Sequence, residues 1–377
     1  MRILFVSNPL RGHVNTLLPL ALAARDAGHD LAFTSGPDMR QLIERHGLRA
    51  WAVGPTHQLL GGSCQASWLD YFARSAAGRA AELLPRAIAW KPHLVIHEDT
   101  EFAGALVAAR SGVRHVVHGL GLMPSANVWA AFSGRLDQLG HDFGVAGLAQ
   151  RVRGATYLNV CPPALQGDDE PVWPRALPLR HGTGLPSPGE RLPDALDALP
   201  HRETIHLTLG TVFNGATEVL RTAIAGLSAL PFNLIVTIGP GADRAHFGPQ
   251  PAHVLLEPYL PHALLLPRCR LVVSHGGAGA MLGALAHGVP QLLLPQGGDQ
   301  FANARAGERA GVALVLSAQQ LSVTSVRNAA LRLLNEPALT RAASAVSGEI
   351  AAMPSAEQRL PALTALAGGR RPWQQAS

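Results

Sequence analysis

Lysine is nearly absent from this 377-residue chain: Lys91 is the only one, and the other thirty basic residues are arginines. They are scattered, with no block of five or six like charges, so the formal net charge of +5 does not draw the basic stripe that nucleic-acid binding needs. It still suits a small anionic ligand such as a nucleotide. Cysteine is scarce too. Cys64, Cys161 and Cys269 are odd in number and far apart, which excludes a disulfide framework and gives no zinc-ligand spacing. No apolar run reaches the roughly 18 residues of a membrane span. The opening run over residues 3–6 stops at Asn8, Pro9 and Arg11, too short for a signal-peptide core, so a cytoplasmic protein is expected. With 47% hydrophobic and 15% charged residues, and glycine and proline in no fixed period, a disordered chain, a collagen and a coiled coil are excluded.

Two nucleotide fingerprints are also missing. No Gly-x-Gly-x-x-Gly follows the first strand of either half and no Gly-Lys-Ser/Thr occurs, which argues against a dinucleotide-dependent oxidoreductase and a P-loop NTPase. What is present is a strand–loop–helix rhythm. Residues 2–7 form a continuous apolar run, followed by a turn and an apolar-periodic stretch over 13–27 that ends at Gly28. The unit recurs at 30–34, 93–97 and 114–118, and after residue 203 at 204–209, 233–238, 253–256, 270–274 and 290–294. Apolar runs without alternation suit strands buried on both faces of a parallel sheet. Between residues 161 and 201 nine prolines crowd what reads as an extended linker. The expected architecture is α/β, with two doubly wound, Rossmann-like domains facing each other across a cleft. The first covers 1–180 with its linker to about 202; the second covers 203–377, its last helix free to pack back on the first.

The densest chemical signal is Ser274-His275-Gly276-Gly277-Ala278-Gly279-Ala280. A strand ends, glycines let backbone amides approach a ligand, and a helix begins with unpaired N–H groups and a positive dipole end, a geometry that binds phosphate. Glycines needed only for strand–helix packing are the plainer account, but a chargeable His275 at the mouth of the turn is hard to assign to packing. Farther on, Leu292-Leu293-Leu294-Pro295 empties into Gln296-Gly297-Gly298-Asp299-Gln300. A carboxylate and an amide at a strand's carboxyl end suit sugar hydroxyls, and an Asp there also suits a helix cap.

The stretch from Val254-Leu255-Leu256-Glu257-Pro258-Tyr259-Leu260-Pro261 through His275-Gly276-Gly277-Ala278-Gly279 to Gly298-Asp299-Gln300-Phe301-Ala302-Asn303-Ala304 resembles the donor-binding block of family 1 nucleotide-sugar glycosyltransferases. The nearer likeness is to bacterial enzymes that decorate polyketides, macrolides and related natural products. It extends to Phe5-Val6-Ser7-Asn8-Pro9-Leu10-Arg11-Gly12-His13 and Thr208-Leu209-Gly210-Thr211-Val212-Phe213-Asn214, and so covers nearly the whole chain.

The resemblance implies a GT-B fold, an acceptor-binding first domain and a donor-binding second domain. It implies that Tyr259, where relatives usually have Trp, stacks on the nucleobase and that Leu260 lends its backbone to the base edge. His275 with the amides of Gly277, Ala278 and Gly279 would hold the diphosphate, with Gly210, Thr211 and Asn214 opposite, and Asp299 and Gln300 would bind the sugar. Ala280 departs from the Thr of many relatives, which removes a hydroxyl contact. Trp68, Tyr71, Phe72, Trp129 and Phe132 lie where relatives line the acceptor cleft, and each is also a reasonable core residue.

His13 matches the family's general base. It follows a glycine at the start of the first helix, where the positive dipole end favours the neutral, proton-accepting ring; a structural histidine is the alternative. Its orienting carboxylate would be Glu98, with adjacent Asp99 the competitor, and either would also serve as a cap for the helix near residue 102. No Asp-x-Asp metal site occurs. Asp99-Thr100-Glu101 comes nearest and lies in the wrong half for a diphosphate, so neither a metal nor a cofactor beyond the dTDP- or UDP-linked co-substrate is expected. The partners are that donor and a hydrophobic small-molecule acceptor, with room for a homodimer or an auxiliary protein. An epimerase or hydrolase of the same fold, or a catalytically silent helper subunit, are the competing readings; intact His13, Glu98 and His275 argue against the last.

Overall fold

The computed structural model describes residues 1–57, 68–167, 172–182, 185–210, 216–239 and 241–367. They form two compact units: one from the described residues within 1–161, 168–182 and 353–377, the other from those within 162–167 and 183–352.

The first unit holds seven strands: β1 (Arg2–Val6), β2 (Asp30–Ser35), β3 (Ala50–Ala52), β4 (Leu94–Glu98), β5 (Arg114–His118), β6 (Thr156–Asn159) and β7 (Ala176–Pro178). They pair in the order β3-β2-β1-β4-β5-β6-β7, all parallel. Helices α1 (Arg11–Asp26), α2 (Arg40–Arg45), α3 (Trp68–Trp90), α4 (Ala103–Ser111), α5 (Ala126–Asp142) and α6 (Leu148–Arg153) supply the crossovers. Ile3, Leu4, Phe5 and Val6 are fully buried, as expected of a central strand covered on both faces. Each such side chain removed from water contributes roughly 1.5–3 kcal/mol.

The second unit repeats the plan with β8 (Thr204–Thr208), β9 (Asn233–Thr237), β10 (Val254–Glu257), β11 (Cys269–Ser274), β12 (Gln291–Leu293) and β13 (Ala313–Val315), in the parallel order β10-β9-β8-β11-β12-β13. Its helices are α7 (Thr217–Leu227), α8 (His262–Leu265), α9 (Ala278–Ala286), α10 (Gln300–Arg309), α11 (Val323–Asn335) and α12 (Pro337–Ala352). Its main core joins Ile205, Leu207, Leu220, Val236, Val273, Leu292 and Leu333. The last helix, α13 (Ala356–Ala367), belongs to the first unit and lies against α1.

The proline-rich segment is not linker throughout. Residues 176–178 pair with β6 as the edge strand β7, where Pro178 is tolerated because an edge position does not need every N–H. In both sheets the chain reverses direction across the sheet beside the first strand, between β1 and β4 and between β8 and β11. Ligands of open α/β sheets bind outside the carboxyl ends of such strand pairs. Among the described residues no helix is long and apolar enough to cross a membrane.

Candidate active site

In the first unit the switch point joins His13 to Glu98. His13 lies in the first turn of α1, which begins after Leu10 without a side-chain cap. Glu98 ends β4 and is fully buried, whereas the His13 side chain keeps 18% of its surface exposed. His13 Nδ1 lies 2.8 Å from Glu98 Oε1. Glu98 Oε1 also accepts the backbone N–H of Asn8 at 3.1 Å and Asn8 Nδ2 at 2.7 Å. Oε2 accepts the Thr100 N–H at 2.7 Å and the Thr100 hydroxyl at 2.6 Å.

Burial alone would raise the Glu98 carboxyl. The His13 charge and hydrogen bond, followed by those from Thr100, outweigh burial and hold it at about 2. An ionised carboxylate only accepts, so His13 Nδ1 carries a proton in either charge state, and in the neutral ring Nε2 is then the lone-pair nitrogen.

Asp99 does not share this contact. Its Oδ2 accepts the Tyr157 hydroxyl at 2.9 Å, and burial, then the Glu98 charge, push its carboxyl up to about 7. The helix-capping role falls to Glu101, whose Oε1 accepts the N–H of Ala103 at 2.9 Å and whose Oε2 accepts that of Gly104 at 2.7 Å.

The five aromatics divide into two groups. Phe72 on α3 sets its ring 5.9 Å from the His13 ring and stacks with Trp68 at 5.9 Å; Tyr71 and Phe132 adjoin Phe72 at 5.4 and 6.3 Å. Tyr71, Phe72 and Phe132 are buried, and the Tyr71 hydroxyl meets His57 Nδ1 at 2.8 Å. Trp129 faces elsewhere, against Trp173 at 4.9 Å, which in turn stacks on Tyr157.

In the second unit, β8 ends near Gly210 and β11 runs into His275. A Cβ on Gly210 would meet His275 Cε1 at 2.6 Å, and one on Gly277 would meet Nε2 at 2.5 Å. The imidazole is therefore held between two positions that only glycine satisfies, and Gly210 (φ +73°) and Gly276 (φ +83°) also adopt the left-handed region. Gly277 caps α9, so the first-turn amides of Ala278, Gly279 and Ala280 have no intrahelical acceptor. Burial, then the nearby His262, hold the His275 ring down at about 4.

Two further histidines stand behind it. His206 Nδ1 donates to the Ile235 carbonyl at 3.1 Å, which leaves Nε2 to accept from His262 Nε2 at 3.3 Å. Burial holds both low, at about 3 and about 4.

Asp299 precedes α10 and makes no cap bond to the helix backbone. Instead its Oδ2 accepts Asn303 Nδ2 at 2.8 Å, and the same amide donates to the Gly276 carbonyl at 2.9 Å, tying the two donor loops together. Gln300 is buried, its Oε1 accepting the N–H of Gln296 at 2.7 Å and of Gly297 at 3.2 Å. Tyr259 is exposed, whereas the Leu260 side chain joins a small core with Leu196, Ile235 and Leu265. Thr211 and Asn214 lie outside the described residues, as does Cys64. Asn8, His206, His262 and Asn303 were not singled out from sequence. Only Asn303 carried a readable signal, its spacing of four from Asp299 at a helix start. Among the described residues no group of three or more His, Cys, Asp or Glu is placed to hold a metal ion.

Residues 221–366 match the model of the erythromycin biosynthesis protein CIII-like C-terminal domain. The chain is 31% identical to the elloramycin glycosyltransferase ElmGT of Streptomyces olivaceus, over 94% of each chain. Among solved structures, the glycosyltransferase VinC in complex with dTDP superposes with a TM-score of 0.82 at 28% identity, covering 97% of this chain and 99% of that one. The glycosyltransferase SnogD from Streptomyces nogalater gives 0.81 at 30% identity, covering 98% and 99%.

Proposed function

Because the chain belongs to the natural-product glycosyltransferases of GT-B fold, we propose that it transfers a sugar, with inversion and without a divalent metal, from a dTDP-sugar to a hydroxyl of a hydrophobic aglycone. The observation that carries this reading is the His13–Glu98 pair, a part-exposed imidazole bonded at 2.8 Å to a fully buried carboxylate. His13 Nε2 takes the acceptor's O–H proton as the oxygen attacks the anomeric carbon. The bond from that carbon to the diphosphate breaks on the opposite face, and its electron pair leaves on dTDP. Glu98 stabilises the imidazolium that forms.

In the second unit His275 and the amides of Gly277, Ala278 and Gly279 meet the charge that develops on the diphosphate, the task a metal performs elsewhere. Gly210 and Gly276 shape that cradle. Tyr259 stacks on the base, Leu260 meets its edge through the backbone, and Asp299 and Gln300 address the sugar. The choice of dTDP over UDP draws on the VinC complex. Phe72 beside His13, with Trp68, Tyr71 and Phe132 around it, suits an apolar acceptor, whereas Trp129 packs against Trp173.

The test is His13→Ala with an alcohol acceptor. Loss of a positioned base costs about 10² to 10⁴ in rate, with dTDP binding retained because its residues lie in the other unit. Near-normal turnover would overturn the assignment. An acidic phenol, already ionised, bypasses the base and serves as the control.

A further inference from the structure

Glu98 is itself held by a second buried layer. Asn8, directly after β1, is buried and donates Nδ2 to Glu98 Oε1 at 2.7 Å, to the Thr100 carbonyl at 3.0 Å and to the Thr100 hydroxyl at 3.2 Å. Its Oδ1 accepts Arg79 Nη2 at 3.0 Å. A guanidinium only donates and a carboxylate only accepts, so the Asn8 amide has one possible orientation. Arg79 is fully buried on α3. It also bonds the Ser75 hydroxyl, and its Nε donates to Glu101 Oε1 at 3.1 Å. The result is a chain of guanidinium, amide, carboxylate and imidazole running from α3 through β1 and β4 to α1.

The charges around this chain are accounted for. Arg79 and Glu101 neutralise each other, which leaves the Glu98 charge facing His13. Asp99 is occupied by Tyr157, and burial keeps His118, at the end of β5 opposite Glu98, neutral to about 4. His97 uses its Nδ1 on the Glu98 backbone carbonyl, and burial raises the Tyr71 hydroxyl of α3 so that it stays un-ionised. Hydrogen bonds to the Glu98 carboxylate thus come from Asn8, Thr100 and His13. Phe72, Ser75 and Arg79 follow at i, i+3 and i+7 on α3, so one helix face touches the His13 ring and also fixes the amide behind its carboxylate.

We propose that Asn8, locked by Arg79, and Thr100 are positioning residues for the His13–Glu98 pair. By bonding to Glu98 they take up part of its charge, so that His13 is unprotonated, with Nε2 toward the acceptor, at the pH of turnover. The inference rests on the reading of His13 as the base.

The experiment compares pH–rate profiles of kcat for the wild type, Asn8→Asp and Thr100→Val, each with an alcohol acceptor and with an acidic phenol, and with urea melts as the check on folding. Asn8→Asp keeps the shape and the bond from Arg79 but replaces a donor by a negative oxygen. The imidazolium of His13 is then favoured, and the acidic limb of the alcohol profile moves up by about one pH unit. Below that limb the rate falls about tenfold, and the loss shrinks with the phenol. Thr100→Val, which removes one hydroxyl donor at nearly constant volume, moves the limb the same way by less and carries the test if Asn8→Asp does not fold.

A merely structural role lowers the rate evenly across pH and equally for both acceptors, and that result would overturn the proposal. His13→Ala is measured alongside. If it is inactive on the alcohol while neither limb moves, this inference alone falls; if it keeps its rate, the base assignment falls and this inference with it.

Discussion

Changing Glu98 to Gln puts a number on the dyad. The substitution keeps the shape but replaces a group that accepts from both oxygens by one oxygen and one NH₂. Glu98 Oε1 receives three donors and Oε2 two, so the least costly placement sets the new NH₂ at Oε2. There the Thr100 hydroxyl can turn to accept, but the Thr100 backbone N–H is left facing a donor. One lost bond to a charged group and one opposed pair cost about 1–3 kcal/mol of stability.

The catalytic loss is of a different kind. His13 Nδ1 still has an oxygen to donate to, so its tautomer survives, but the charge that stabilises the imidazolium is gone. The Glu98 carboxyl is held low by the His13 charge and hydrogen bond together with the Thr100 bonds, against burial; losing a charge-assisted partner of the imidazolium is worth roughly 1.5–3 kcal/mol, a rate factor of about 10 to 10². Steady-state kinetics with an alcohol acceptor should therefore show kcat down by about one to two orders of magnitude, with KM for the dTDP-sugar nearly unchanged. Asp99→Asn, which alters a group bonded to Tyr157 and to the Leu120 backbone rather than to His13, should leave kcat within a few-fold of wild type. If Glu98→Gln turns over normally while folded, or if Asp99→Asn is the more damaging change, the reasoning fails.

Gly277→Ala places a methyl 2.5 Å from His275 Nε2 and should displace the ring. dTDP affinity by calorimetry should then fall about as far as in His275→Ala, by roughly 1.5–3 kcal/mol for a bond to a charged group; an unchanged affinity would remove His275 from the donor site. Acid should destabilise the protein early. His118, His181 and His206, which are buried, and His115, His262 and His275, which are half-buried, have values held by desolvation at about 3 to 4, below the ordinary 6.5. Between about pH 6.5 and 4 the unfolded chain therefore binds more protons, and stability falls with falling pH. Asp99, raised to about 7, acts in the opposite sense as a single group, and Glu98 adds a further loss as pH falls from 4.5 through about 2. Urea melts at pH 7 and pH 5 that coincide would contradict this. Turnover should persist in EDTA, and a loss restored by Mg²⁺ would show that His275 and the α9 amides do not suffice.

Local composition and spacing already determined much of this protein. Apolar runs without alternation, residues 3–6 in β1 and 94–96 in β4, suit a covered parallel sheet, and glycines around His275 admit a ring that a Cβ would displace. The short strands β3, β6, β7 and β13 were not legible, because, unlike β12 within its longer apolar run, they carry no period and take their identity from the neighbour they pair with.

The tertiary structure alone decided between Glu98 and Asp99. They are adjacent and acidic, and only the resemblance favoured Glu98, but β4 ends so that Glu98 meets His13, 85 residues away, while Asp99 meets Tyr157. It also assembled Asn8 and Arg79 behind the dyad, and His206 and His262 behind the donor loop, over separations of 71 and 56 residues. Hydrogen bonds at such separations leave no local pattern. Their partners are selected by strand order and by the need of every buried charge for a donor or acceptor, and both exist only once the sheets have formed.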